Sequence, residues 1–207
     1  MTRNSLYTNP LATSYIAPKP PSPSNPTEIK NFYKTLPSFA PSSLTPLPSL
    51  AKELNLKHVF VKAETNRLGL PSFKMLGASW AIRQSIIHHY GLDSSSSLED
   101  LREGLKGRGV RLCAATDGNH GCAVARMGKL VGVEESRIFV PKDLGSKAKE
   151  LIAGEGAEVV VVDGDYDEAV RVAHRWGEET SGGMLIEGTA FEGYEDVPRV
   201  RILLYLS

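Results

Sequence analysis

The chain has 207 residues, 41% apolar and 23% charged, and its 24 Lys+Arg against 24 Asp+Glu leave a formal net charge of zero. That composition belongs to an ordinary globular protein with one good core or two small ones, and the balanced charge argues against nucleic acid or an anionic membrane surface as the main partner. Two cysteines, Cys113 and Cys122, are too few for a disulfide framework and lack zinc-ligand spacing, so both read as small buried thiols.

The N-terminus carries prolines at 10, 18, 20 and 21 and no continuous apolar run. It makes a poor signal peptide, and the apolar stretches further on are too short to span a bilayer, so a cytoplasmic protein is expected. Residues 1–26, rich in Pro, Ser, Thr and Asn, predict an extended lead-in. Thr27 stands where it would cap a short helix through Ile29, Phe32 and Tyr33, and 37–48 reads as Pro/Ser-rich loop. A short helix is predicted over 49–54 and a strand over 58–63, followed by a polar loop ending at Pro71. Ser72 occupies an N-cap place ahead of a helix from Phe73 to about Tyr90, which Gly91 closes. Residues 93–109, with four consecutive serines, predict a flexible insert holding at most one short helix.

From Arg111 the pattern becomes regular. Strands are predicted at 112–116, 137–140, 159–162 and 184–187, alternating with helices at 119–130, 146–153 and 167–176. Strands alternating with helices imply parallel βαβ units: an α/β fold, a parallel sheet with flanking helices.

Two loops carry candidate chemistry, each leading into a helix, where open α/β sheets bind ligands. The first is Ser72-Phe73-Lys74-Met75-Leu76-Gly77-Ala78. A lysine in the first turn feels the positive end of the helix dipole, which disfavours its ammonium form and suits an amine that must attack an aldehyde. Taken alone, Lys74 reads as a solvated helix lysine far more readily than as a reactive amine. The second loop is Thr116-Asp117-Gly118-Asn119-His120-Gly121, whose glycines free the backbone to approach a ligand. Taken alone, Asn119 reads as an N-cap in a tight βα turn.

Together, Ser-x-Lys opening one helix and Thr-x-Gly-Asn-His-Gly opening the next strand-linked helix resemble the tryptophan synthase β-like family of pyridoxal-phosphate (PLP) enzymes. That family includes threonine dehydratases and cysteine synthases. The resemblance implies that Lys74 is the Schiff-base lysine and that Asn119 hydrogen-bonds the ring hydroxyl of PLP. Asp117-Gly118-Asn119-His120-Gly121, with Phe73-Lys74-Met75-Leu76-Gly77 and Ala190-Phe191-Glu192-Gly193-Tyr194-Glu195, is similar to diaminopropionate ammonia-lyases. Those enzymes eliminate ammonia from 2,3-diaminopropionate to give pyruvate. By that likeness Asp117 is a general base for the α-proton of one substrate enantiomer. A small amino-acid substrate, a homodimer, and no nucleic-acid or membrane partner follow from the same resemblance.

Family members are roughly twice this length. Their second half supplies a Gly-rich phosphate loop and a Ser, Thr or Cys facing the pyridine nitrogen, and this sequence shows neither. The expected organisation is a Pro/Ser-rich segment 1–40, the N-terminal part of the PLP fold at 41–198, and a non-family tail at 199–207. Within that tail, Val200-Arg201 is compatible with codons that read as a 5′ splice donor, so translated intron is one expected origin of the last residues. The expectation is an incomplete fold with impaired activity. The ammonia-lyases also carry an Asp where Gly188 stands here, before Thr189, which weakens a two-base mechanism. A threonine/serine dehydratase-like enzyme and a non-catalytic remnant domain are the alternatives.

Other motifs carry no site. Asp163-x-Asp165-x-Asp167 has Glu168 where a calcium loop needs Gly, and reads as a strand-to-helix turn with an Asp cap. Gly154-Glu155-Gly156 leads into a strand, Gly145-Ser146-Lys147 lacks the upstream glycine of a P-loop, and the adjacent His88 and His89 point to different helix faces.

Overall fold

The computed structural model describes residues 26–190 together with Tyr194, Val197 and Pro198. The lead-in before Pro26, most of the Phe191–Glu195 motif and the 199–207 tail lie outside the described residues.

Helix α1 (Pro26–Thr35) buries Phe32 and Tyr33; Thr27 falls inside its first turn. A short strand β1 (Leu44–Pro46) follows, then α2 (Pro48–Glu53), opened by a proline at its first position, where no N–H is needed. Strand β2 (Phe60–Lys62) pairs antiparallel with β1, Leu44 opposite Lys62 and Pro46 opposite Phe60. β1 corrects the loop predicted over 37–48: three exposed residues including a proline carry no periodicity, and only pairing with β2 makes them a strand.

Helix α3 (Lys74–Tyr90) is buried along most of its length and ends at Gly91, whose φ of 63° is the left-handed cap conformation glycine adopts without strain. Tyr33 of α1 donates a hydrogen bond to the Leu76 carbonyl, 2.8 Å. The buried Arg83 lies over the rings of Trp80 and Phe32, at 4.7 and 5.0 Å, and pairs with Glu28 at 3.0 Å. Those contacts fasten α1 to α3. The predicted insert holds a well-formed helix α4 (Leu98–Leu105), started by a reciprocal capping box of Ser97 and Asp100 and burying Leu98, Leu101 and Leu105.

The remaining elements alternate: β3 (Arg111–Ala115), α5 (Asn119–Val131), β4 (Glu135–Pro141), α6 (Ser146–Gly154), β5 (Glu158–Val162), α7 (Tyr166–Glu179) and β6 (Gly183–Leu185). The strands form one sheet in the order β5-β4-β3-β6, every pair parallel. Period-2 alternation splits β3 between two layers. Leu112 and Ala114 join the core with Trp80, Met127 and Ile152, while Cys113 and Ala115 turn to the opposite face with Phe139, Ala169 and Ala173. Both thiols are buried, as composition suggested. Asp165 caps α7, accepting from the Glu168 N–H at 2.9 Å.

The path of the chain decides where a ligand sits. From β3 it moves outward through α5 to β4 and through α6 to β5. It then returns over the other face by α7 to place β6 on the far side of β3. Strand order therefore reverses between β3 and β6, and a crevice outside their carboxyl ends is the binding position of open α/β sheets. Among the described residues no helix is long and apolar enough to cross a membrane.

Candidate functional site

The wall at the end of β3 is built on Thr116. Its N–H extends the ladder to Phe139, 3.0 Å, and its hydroxyl oxygen accepts from the N–H groups of Gly118 and Gly121 at 3.0 and 3.2 Å. Thr116 therefore satisfies donors at the start of α5. Asn119 is the first helical residue, not the N-cap that its sequence position alone allowed; Gly118 holds that place. A Cβ at Gly121 would fall 2.5 Å from the Thr116 methyl and 2.9 Å from Ile138 Cγ2, so only glycine lets the helix start come this close to the sheet. Asp117 and Asn119 are left exposed at the mouth.

The opposing segment carries Lys74. Arg67 and Leu70 exchange both backbone hydrogen bonds, at 2.7 and 3.1 Å, around a turn with Leu68 and Gly69 at positive φ. Arg126 of α5 grips that turn: its guanidinium donates to the Leu68 carbonyl at 3.1 Å and, in a two-point pair, to Glu155 at 2.6 and 2.7 Å. Ser72 accepts the Lys74 N–H at 3.2 Å, one place ahead of the cap residue Phe73 rather than as the cap itself. The Lys74 ammonium nitrogen lies 5.4 Å from the centre of the Phe73 ring.

The third wall follows β6. The Ile186 N–H reaches the Cys113 carbonyl at 2.8 Å, and His120 Nε2 lies 2.7 Å from the Ile186 carbonyl. The Tyr194 hydroxyl donates to Leu185 and accepts from the Glu187 N–H, both at 2.8 Å. Glu187 itself is fully buried. Its carboxylate accepts from the N–H groups of Ala115, 2.9 Å, and Gly188, 2.6 Å, and from the Tyr166 hydroxyl, 3.3 Å. Burial first, then the charge of Glu187, pushes the Tyr166 phenol up to about 12; Asp117 adds a smaller push in the same direction. Burial and, second, Glu187 push the Cys113 thiol up to about 12 as well.

These walls enclose a cavity of about 460 Å³ lined by Lys74, 115–120, Tyr166 and 187–189, inside the size range of small-molecule sites. Lys74, Asp117 and Asn119, singled out from two separate loops, line this one cavity. An amine, a carboxylate and a primary amide on one small pocket fit an aldehyde-bearing ring with a hydroxyl substituent. Gly188 also lines it, and the carboxylate beside that glycine belongs to its predecessor, Glu187. Sequence reasoning missed Thr116, Tyr166 and Glu187. A glutamate ending an otherwise apolar strand prediction was the signal for Glu187.

Residues 36–197 match the family described as pyridoxal-phosphate dependent enzyme. Diaminopropionate ammonia-lyase of Escherichia coli (strain K12) is 34% identical over 170 residues, which is 82% of this chain and 42% of that relative. The biosynthetic L-threonine dehydratase of Corynebacterium glutamicum is 30% identical over 152 residues, 72% of this chain and 30% of that one. The crystal structure of the Escherichia coli diaminopropionate ammonia lyase in apo form superposes with a TM-score of 0.79 at 32% identity, covering 86% of this chain and 48% of the other. The chain thus spans under half the length of the curated relatives it matches.

Proposed function

The chain belongs to the pyridoxal-phosphate dependent enzyme family, matched over 36–197, and from that premise we propose that its cavity is an ammonia-lyase site acting on 2,3-diaminopropionate to give pyruvate and ammonia. The observation that carries this reading is the convergence of Lys74, Asp117 and Asn119 on one cavity at the carboxyl end of β3. Bound PLP supplies an electron sink that acidifies the substrate Cα–H. Lys74, from a backbone position fixed by Ser72, would offer the amine that holds the cofactor's aldehyde carbon, and the Asn119 amide would donate to its ring hydroxyl. Asp117, exposed at the mouth, would take the α-proton; the β C–N bond of the ammonium form breaks with its electron pair on nitrogen, which leaves as ammonia, and the released enamine is hydrolysed by water to pyruvate and a second ammonia.

The same reading makes residues 41–198 the N-terminal part of the family fold, between a Pro/Ser-rich segment 1–40 and the 199–207 tail, in a cytoplasmic homodimer. The 34% identity with the ammonia-lyase supports this reaction over a threonine/serine dehydration, which the C. glutamicum relative and Gly188 favour.

Adding PLP to the purified chain tests the reading. A visible cofactor band that Lys74→Ala removes is expected, as is pyruvate release from diaminopropionate that Asp117→Asn lowers by about 100-fold or more. Identical spectra for the two proteins, or pyruvate from threonine-type substrates alone, would contradict it.

A further inference from the structure

Half-buried Tyr166 and fully buried Glu187 form a hydrogen-bonded pair on the cavity wall that the proposed chemistry does not use. We propose that they are the specificity-determining pair of the site: they read a second ammonium group on the substrate and favour a diamino acid over serine or threonine. This inference rests on the ammonia-lyase reading and names the residues that would choose its substrate.

A phenol has a single proton, and Tyr166 gives it to Glu187 Oε1 at 3.3 Å. The Thr189 side chain also hydrogen-bonds the phenol, in the sense that stabilises negative charge on its oxygen. Thr189 takes one lone pair of the phenol oxygen, and what Tyr166 has left for a ligand is the other, an acceptor. Asp117, on the same wall and close enough for its charge to act on Tyr166, is an acceptor when ionised. Behind them Glu187 is fully buried, where its field is screened less than at a surface. Two backbone N–H groups and the Tyr166 hydroxyl hold its carboxylate in place.

A wall of acceptors over a buried negative charge rewards a cationic donor. A β-ammonium gains charge-assisted hydrogen bonds there, roughly twice as strong as those of a neutral hydroxyl. The donors that hold Glu187 among the described residues also fit a positioning residue rather than one that exchanges its proton with substrate. Its placement depends on this chain's own sequence, because Gly188 leaves Glu187 as the carboxylate adjoining the end of β6.

The test uses the full 207-residue chain without added cofactor, titrated with 2,3-diaminopropionate and with serine by ligand-observed NMR. Diaminopropionate is expected to bind about tenfold more tightly, the ratio that one charge-assisted contact supports. Tyr166→Phe and Glu187→Gln should each bring that ratio close to one by weakening diaminopropionate while leaving serine unchanged. Tyr166→Phe keeps the ring packing, so it decides the matter if Glu187→Gln does not fold. Diaminopropionate binding no tighter than serine, absent binding included, overturns the inference; so does an unchanged ratio in a folded Tyr166→Phe. The Lys74→Ala spectrum is a separate readout. A Lys74-dependent PLP band with no diaminopropionate preference defeats this inference alone, and loss of that dependence defeats the proposed function.

Discussion

The sheet side and the Lys74 side of the cavity are built in different ways. The sheet wall, from Thr116 to Gly121 and along Glu187, is tied by hydrogen bonds between residues as far apart in sequence as Ala115 and Glu187. It is so tightly packed at Gly121 that a methyl group has no room. The Lys74 wall is the first turn of a helix: a half-buried side chain whose backbone leans on Ser72 and whose preceding turn is gripped from α5 by Arg126. The sheet wall is scaffold with chemistry at its exposed tips; the Lys74 wall is chemistry presented from a helix that packs elsewhere. Substitutions should separate the two, costing stability on the first and function on the second.

The largest effect is expected from Gly121→Val, which drives side-chain atoms into Thr116 and Ile138. Overpacking of this kind costs about 3 kcal/mol, measured as a fall in the urea midpoint. Arg126→Ala removes the two-point pair to Glu155 and the contact to Leu68. A loss of about 1–2 kcal/mol is expected for this partly exposed network, with weaker PLP retention because the two walls lose their tie. Thr116→Val keeps the shape and removes the acceptor for two N–H groups, costing about 1 kcal/mol.

A smaller, pH-dependent effect comes from two weak acids, one buried and one half-buried. Cys113 and Tyr166 are both raised to about 12 in the folded state. A raised folded pKa means stability is full below the unfolded pKa and falls as pH rises toward the folded one. The urea midpoint should therefore decline as pH rises between about 9 and 12, less in Tyr166→Phe, and Cys113 should resist alkylation until the chain unfolds. The smallest stability change belongs to Lys74→Ala, within about 0.5 kcal/mol, although it should remove the cofactor band. A stability loss there as large as that of Gly121→Val would erase the distinction between the walls.

How much of this was legible in the sequence follows the same division. Helix α5 and the strand of four valines announce themselves through local periodicity, and Asp165 declared its capping role by position alone. Strand β1 did not, because three exposed residues become a strand only through β2. The α4 helix hid in a serine-rich stretch, although Ser97 and Asp100 form its capping box. Lys74, Asp117 and Asn119 were found as residues of two motifs, but their meeting on one cavity requires the packing of α3 against α5 and the sheet. Glu187 stood out only as a glutamate ending an apolar strand: its role depends on β6 pairing with β3, some 70 residues earlier, and on a tyrosine contributed by α7.

The most direct test of the central claim is to load the chain with PLP, reduce it with borohydride, and locate the modified lysine by peptide mass spectrometry. The account predicts that the label falls on Lys74 and that diaminopropionate, added before reduction, lowers its yield. Label distributed over surface lysines such as Lys52 or Lys106, with Lys74 unmodified, would contradict it.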